Sequence, residues 1–428
     1  MTKGKTTLAS IALSLLIGSV ASAALKPLPR IAPKSAKPVA QFVDESGKTF
    51  APFGVNYVRL DWIDEVAYHT TMNATLYNPA RTDREFKAIA ENGYNLIRVF
   101  VDQGDAAHQS RRQYGMAGPA DHNTAELHQP AVDAFVDLLR LANKHGLYVI
   151  VDAEYGPANQ WYINASIDSS DETVGNYNWM YLRERYIQAK ALYLQKLVEA
   201  VKQAEPNGAL LSTVFAWELQ NEIAAHADYA PFSKHSGTTT TPDGGTYDMA
   251  STEDRQLCWD SNVVNWADTL CDAIRAVDPD AMVSASVFCY QLVGKEGANG
   301  LIGHTAEHRY PASLKPIVVS KLSFVDIHTY DTTMQPSYDL ESSLNTSGFA
   351  ELDKTKKPFL MGEYGTFKDK YEKVEDAKVA MLKHQKEMRR LGFAGNLFWT
   401  WDTYSQKRIW NLTEEDDVLL NAMKPETK

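Results

Sequence analysis

Two stretches of this chain join an unbroken apolar run to an acidic tip. Residues 214–222 read VFAWELQNE and end in Asn221 and Glu222, and residues 358–365 read PFLMGEYG and reach Glu363. Apolar runs without alternation suit strands buried on both faces, the condition of a parallel sheet covered by helices. The rest of the chain repeats that unit. Strand-like runs at 53–58, 95–102, 148–153, 214–222, 282–288, 323–330, 358–365 and 394–402 alternate with helical patterns at 83–92, 131–145, 186–202, 262–277 and 374–391. Gly93, Gly146, Asp278-Pro279 and Gly392 stand where those helices must stop. Eight such strands in about 350 residues predict the α/β class and a (β/α)8 TIM barrel, lengthened beyond the usual ~250 residues by long βα-loop insertions. An open doubly wound sheet is the competing arrangement. It calls for a glycine-rich phosphate turn after the first strand, where GVNYVRLDW is found instead.

The lengthened intervals, 59–82, 103–128, 154–185 and 223–261, all follow strand C-termini, the face on which such barrels build binding surface. They carry Trp62, Tyr68, Tyr77, Tyr114, Trp161, Tyr162, Tyr177, Trp179, Tyr181, Tyr229, Phe232, Tyr247 and Trp259. Aromatic faces pack on the apolar faces of sugar rings, but they also pin long loops to a rim, and for a single ring pinning is the more frequent role.

A nucleic-acid partner would need a clustered basic surface. The net charge of −11 excludes that class in favour of a neutral substrate. Residues 1–23 place Lys3 and Lys5 before an apolar run at 8–20 and close on Ala21-Ser22-Ala23, the pattern of a secretory signal peptide. The run is shorter than the ~20 residues of a membrane span. The chain is therefore expected to be secreted or periplasmic, free of membrane after cleavage, and monomeric. Residues 24–40, rich in Pro, Ala and Lys, read as an extended linker. One catalytic domain is expected over 41–428, entered through a hairpin around Glu45-Ser46-Gly47. Cys258, Cys271 and Cys289 allow at most one disulfide, and three buried thiols fit equally well.

Two carboxylates at the tips of two barrel strands are what glycoside hydrolysis requires: one acid to protonate the leaving oxygen, one anion to attack or to position water. Glu222 and Glu363 are the candidates. Arg98, inside the apolar NLIRVFVD, needs an anionic partner such as Glu363. His328 and Tyr330 share a face of VDIHTYD, which is the inward face if the barrel is right. A competing motif, His304-Thr305-Ala306-Glu307-His308, fits the H-x-x-E-H zinc-peptidase pattern, but Gly303 and Pro311 leave little room for the helix that such a site needs.

Taken together, Arg98, Asn221-Glu222, His328, Tyr330, Glu363 and Trp399, in this order along the chain, resemble clan A glycoside hydrolases, most closely family 5, whose β-mannanases and cellulases carry a strand similar to WELQNE. The resemblance implies that Glu222 is the general acid/base and Glu363 the nucleophile of a retaining double displacement. It implies that Asn221 donates to the sugar 2-hydroxyl, that Arg98 and Tyr330 support Glu363, that His328 lies beside Glu222, and that Trp399 is the platform under the sugar, with Trp401 competing for that role. Ile223 stands where many members have Pro, and Asp152 and Glu154 stand where cellulase-like members place a His. No metal or organic cofactor is implied. The expected substrate is an oligo- or polysaccharide, as for an endo-β-mannanase or endo-β-glucanase on β-1,4 linkages. An exo-acting β-mannosidase or β-glucosidase and a non-catalytic glycan-binding barrel are the alternatives.

Overall fold

In-register parallel pairing runs around a ring of strands. The computed structural model describes residues 25–63, 66–101, 115–119, 121–154, 159–167, 176–302, 307–332 and 338–425; residues 1–23, expected from the sequence to be a signal peptide, lie outside them. The barrel strands are Phe53–Asn56, Leu96–Phe100, Tyr148–Asp152, Val214–Glu218, a divided fifth strand, Val325–Asp331, Phe359–Thr366 and Gly395–Phe398. Each pairs in parallel with its sequence neighbour, and the eighth pairs with the first. The fifth strand is split. Val283–Ser284 pairs with the fourth and Ser286–Phe288 with the sixth, so this one strand joins the two ends of the sheet and closes the (β/α)8 barrel.

Period-two alternation sorts the strand residues into two apolar layers. Ile97, Val99, Val149, Val151, Trp217 and Ile327 pack outward against the helices. Leu96, Ile150, Ala216, Met282, Phe324, Leu360 and Leu397 point inward and form the barrel floor. The covering helices include Pro79–Glu91, Gln129–Lys144, Glu184–Ala204, Thr252–Val277 and Val374–Leu391. Asn78 and Ser251 cap two of them by accepting from the amides of Arg81 and Asp254, and Gly392 ends the last with φ of 89°. Short helices Leu314–Val319, Leu340–Thr346 and Val418–Met423 fill the intervals in which the sequence showed no long helical period.

The underside corrects one expectation. Residues 31–34, expected within an extended linker, form a strand antiparallel to Gln41–Asp44, which pairs in turn with Thr49–Phe50 through the turn at Gly47, φ 83°. The strand lies at the sheet edge, where Pro33, lacking an N–H, is tolerated. Its sheet plugs the barrel floor. Phe42 is fully buried and meets Phe215 and Phe324 edge-on, with ring centroids 5.1 and 5.3 Å apart. Leu28 packs on the same cluster, and Arg30 makes a two-pronged ion pair with Asp278 at 2.9 and 3.2 Å.

All three cysteines are free and buried, and burial pushes each thiol up to about 12. No helix among the described residues is long and apolar enough to cross a membrane.

Candidate active site

Two residues beyond the floor on five of the strands, the inward positions turn polar. Leu96 is followed by Arg98, Ile150 by Asp152, Ala216 by Glu218, Met282 by Ser284 and Phe324 by Asp326. Arg98 is the centre of this layer and is completely buried. Its Nε and Nη2 donate to Glu218 at 2.6 and 2.9 Å, Nη2 also donates to Asp152 at 2.8 Å, and Nη1 donates to Asn56 at 3.1 Å and Glu363 at 2.5 Å. A buried guanidinium without such partners would cost several kcal/mol. Three carboxylates around one cation overcompensate it. Burial, then the charge of Glu218, raises the Asp152 carboxyl well above its usual range, against the pull of Arg98.

Glu363 sits in the seventh strand, next to His328 of the sixth in the pairing register. One of its oxygens accepts from Arg98 and the other from the Tyr330 hydroxyl. Opposite stands Glu222. The fourth strand ends at Glu218, so Asn221 and Glu222 belong to the turn that follows it rather than to the strand tip expected from the sequence. Glu222 has φ of 51°, a left-handed conformation worth about 1–3 kcal/mol of strain for a non-glycine residue. Ser286 of the fifth strand holds the turn: its hydroxyl accepts from the Glu222 amide at 2.8 Å, and its carbonyl accepts from Ile223 at 2.9 Å. Asn221 turns its Oδ1 to Arg98 Nη2 at 3.0 Å, which leaves its side-chain NH2 as a donor.

His328 Nδ1 lies between the two acids, 3.2 Å from Glu222 Oε1 and 3.5 Å from Glu363 Oε1. Ligating atoms of Glu222, His328 and Glu363 all fall within 4.8 Å of one another. Burial works to raise Glu222, but the hydrogen bond and charge of His328 outweigh it, and the net direction is down. Burial raises Glu363 in spite of His328, Arg98 and Tyr330. Burial works to lower His328, and the charge of Glu363 with the hydrogen bond to Glu222 reverses it, so the imidazole is raised. His328 Nδ1 is thus within reach of both carboxylates. The side chain of Glu222 stays 25% exposed against 5% for Glu363, so Glu222 is the acid that solvent reaches.

The wall is aromatic. Trp399 packs edge-to-face on Phe100 at 6.0 Å and donates through Nε1 to Gln406 at 2.9 Å. Phe100 in turn carries the His69 ring stacked at 3.9 Å, and His69 Nε2 lies 3.7 Å from Glu154. Burial and the charge of Arg98 bring His69 down to about 3 and keep it neutral. Trp401 is placed elsewhere. The eighth strand ends at Phe398, strand alternation no longer applies beyond it, and Trp401 packs in the outer core near Tyr94 at 6.3 Å.

The structure thus gathers Arg98, Asn221, Glu222, His328, Tyr330, Glu363 and Trp399 and leaves Trp401 out. It also adds Asn56, Asp152, Ser286 and Asp326, which sequence reasoning passed over as site residues; Asp326 shares the parity of His328 and Tyr330 in VDIHTYD, which was a usable signal. Glu218, in the strand that leads to Glu222, is the two-pronged partner of Arg98. Among the loop aromatics, Tyr162, Trp179, Tyr181, Phe232, Tyr247 and Trp259 are buried, whereas Trp62, Tyr177 and Tyr229 are exposed; Tyr114 lies outside the described residues. In the zinc-like motif, residues 304–306 lie outside the described residues and Glu307 is engaged by Arg309 at 2.8 and 2.9 Å.

A family model described as cellulase (glycosyl hydrolase family 5) matches residues 43–405. Mannan endo-1,4-β-mannosidase A of Podospora anserina is 24% identical over 268 residues, which cover 60% of this chain and 51% of that protein, so the match spans about half the length of the curated relative. Among solved structures, an endo-1,4-β-mannanase from Rhizomucor miehei superposes with a TM-score of 0.57 at 14% identity, over 92% of this chain and 97% of that one. The exo-β-1,4-mannosidase Op5Man5 from Opitutaceae bacterium strain TAV5 superposes with a TM-score of 0.53 at 17% identity, over 90% of this chain and 57% of that one. Identities this low show a shared fold.

Proposed function

The chain belongs to glycosyl hydrolase family 5 and is a glycosidase; on that premise we propose that it hydrolyses β-1,4-linked polysaccharide, mannan before glucan, by endo-acting, retaining double displacement. Glu363 attacks the anomeric carbon while Glu222 protonates the departing glycosidic oxygen. Glu222 then takes a proton from water, which attacks the same carbon and releases the sugar from Glu363. The single observation that carries this reading is the asymmetry of the two acids. Glu363 is clamped by Arg98 and Tyr330, which suits an anion aimed at carbon, and Glu222 is held by a strained turn at the solvent edge, which suits a proton carrier. A separation within 4.8 Å, oxygen to oxygen, fits retention, which needs the carboxyls ~5–5.5 Å apart, better than inversion, which needs ~6.5 Å or more.

Asn221 donates to the 2-hydroxyl of the bound sugar and Trp399 lies under its ring. Mannan is ranked first because the curated relative is a mannanase. Export under direction of residues 1–23 would bring the enzyme to that polymer.

Glu222→Gln and Glu363→Gln should each lower kcat on β-1,4-mannan by at least ~10³-fold with unchanged circular dichroism. Azide added to Glu222→Ala should restore turnover of an activated aryl β-mannoside and yield a β-glycosyl azide. Activity above a few per cent of wild type in either Gln variant would refute the corresponding role.

A further inference from the structure

Beneath the two catalytic carboxyls lies a buried acid that the mechanism above does not use. Asp326 is completely buried two residues before His328 on the sixth strand, and both its oxygens lack a hydrogen-bond partner among the described residues. His328 Nε2 is equally unpartnered, and the two groups face each other at 3.9 Å. The seventh strand makes room for the carboxyl with Gly362: a Cβ there would stand 2.1 Å from Asp326 Oδ1. We propose that Asp326 is a positioning residue of the catalytic centre, sharing one proton with His328 Nε2 so that His328 always presents Nδ1–H to Glu222 and Glu363, and thereby setting the pH range in which Glu222 holds its proton.

Two buried polar groups facing each other without a proton between them would each carry the full cost of leaving water with no hydrogen bond in return. With the 3.9 Å gap closed to hydrogen-bond distance, three arrangements remove that cost, and two of them also serve the acids on the other side of the ring. Either the neutral acid donates its O–H to Nε2 of a neutral imidazole, or an imidazolium donates its Nε2–H to the carboxylate. In both, Nδ1 carries hydrogen. The remaining tautomer, with hydrogen on Nε2 alone, would turn the Nδ1 lone pair on carboxylate oxygens at 3.2 and 3.5 Å.

Burial, then the charge of Glu218, pushes the Asp326 carboxyl up to about 7, and the charge of Glu363 with the hydrogen bond to Glu222 raises His328 against its burial. The charged groups facing the pair are Glu218 from the fourth strand, Arg98 from the second, Glu363 from the seventh and Glu222 from the turn after the fourth; Arg309 acts on Glu222 from outside. Asp326 decides whether the proton facing Glu222 belongs to a cation or to a neutral ring.

The inference rests on the reading of Glu222 as acid/base, and two experiments separate their failures. In Asp326→Asn, the amide still donates to Nε2 but no longer stabilises an imidazolium. Glu222 then loses its neighbouring cation, its carboxyl rises, and the alkaline limb of kcat/KM on an aryl β-mannoside should move up by at least about half a pH unit, with kcat at the optimum within ~10-fold of wild type. A profile that superimposes on wild type with unchanged kcat and KM would make Asp326 merely structural and overturn the proposal. Imidazole 15N shifts of wild-type His328, read as the ring becomes neutral, should show the Nδ1–H tautomer; an Nε2–H tautomer overturns the proposal even if the variant does not fold. Retained hydrolysis by Glu222→Gln would instead refute the acid/base reading and leave the tautomer result standing.

Discussion

His328 ties the stability of the site to pH. Its ordinary pKa of 6.5 is raised in the folded protein, so its contribution to stability is fully present below 6.5 and is lost as pH rises through the folded value. Glu222, held below its ordinary 4.5, contributes above that value and loses its contribution as pH falls through the folded value. His328→Asn should therefore lower the thermal midpoint more at pH 5.5 than at pH 9, as measured by calorimetry at both. An equal loss at both would show that the imidazole acts by packing alone. Gly362→Ala tests the space beneath. The added methyl meets the Asp326 carboxyl at 2.1 Å, overpacking that costs about 1–3 kcal/mol, and Asp326→Ala in the same chain should recover most of it. At this scale the sequence was informative where chemistry forces a choice: a buried Arg98 demands acids, and Glu363 is one of them. It named Asp152 only by its place and Asp326 not at all, because a carboxylate on an inward strand position reads the same whether it pairs with a cation or shares a proton.

At the scale of elements, apolar runs flanked by helix stops located every barrel strand, since burial on both faces leaves a composition that loops do not imitate. Strand ends were legible only to within a few residues. VFAWELQNE looks continuous, but pairing with the fifth strand stops at Glu218, and the last residues turn back under Ser286. Ser286→Ala should leave the thermal midpoint within a few degrees of wild type and lower kcat about tenfold, because it frees the backbone that aims Glu222; unchanged kcat would show that the turn holds itself. The strand at 31–34 escaped notice because Pro and Lys dominate its composition, although an edge strand tolerates both. A chain beginning at residue 41 loses that strand, the Leu28 contact and the Arg30–Asp278 pair, and should be about 2–4 kcal/mol less stable in urea unfolding while keeping its KM.

Over the whole molecule, an apolar plug closes one end of the barrel and the inserted loops crown the other, so substrate reaches the acids from the loop side alone. A surface of net charge −11 suits a neutral polymer, and most of the loop aromatics serve to hold the crown in place. Tyr177 and Tyr229 differ: they are exposed and lie near-parallel with His226 between 5.3 and 6.3 Å apart, His226 and Tyr229 on the segment that follows Glu222 and Tyr177 on the insertion after the third barrel strand. Tyr177→Ala with Tyr229→Ala should raise KM for long mannan several-fold and leave KM for an aryl mannoside unchanged, as initial rates on both substrates would show. Equal effects on the two substrates would place the rings outside the glycan path.

In the proposed double displacement Glu363 forms a covalent bond to the sugar while Glu222 moves the proton. Incubation with an activated 2-deoxy-2-fluoro-β-mannoside slows release of the sugar from the enzyme and tests this directly by peptide mass spectrometry. One fluoroglycosyl group per chain, carried on Glu363 in the peptide that contains PFLMGEYG, is the predicted result. A label on Glu222, or steady turnover with no label and an inverted product, would contradict it.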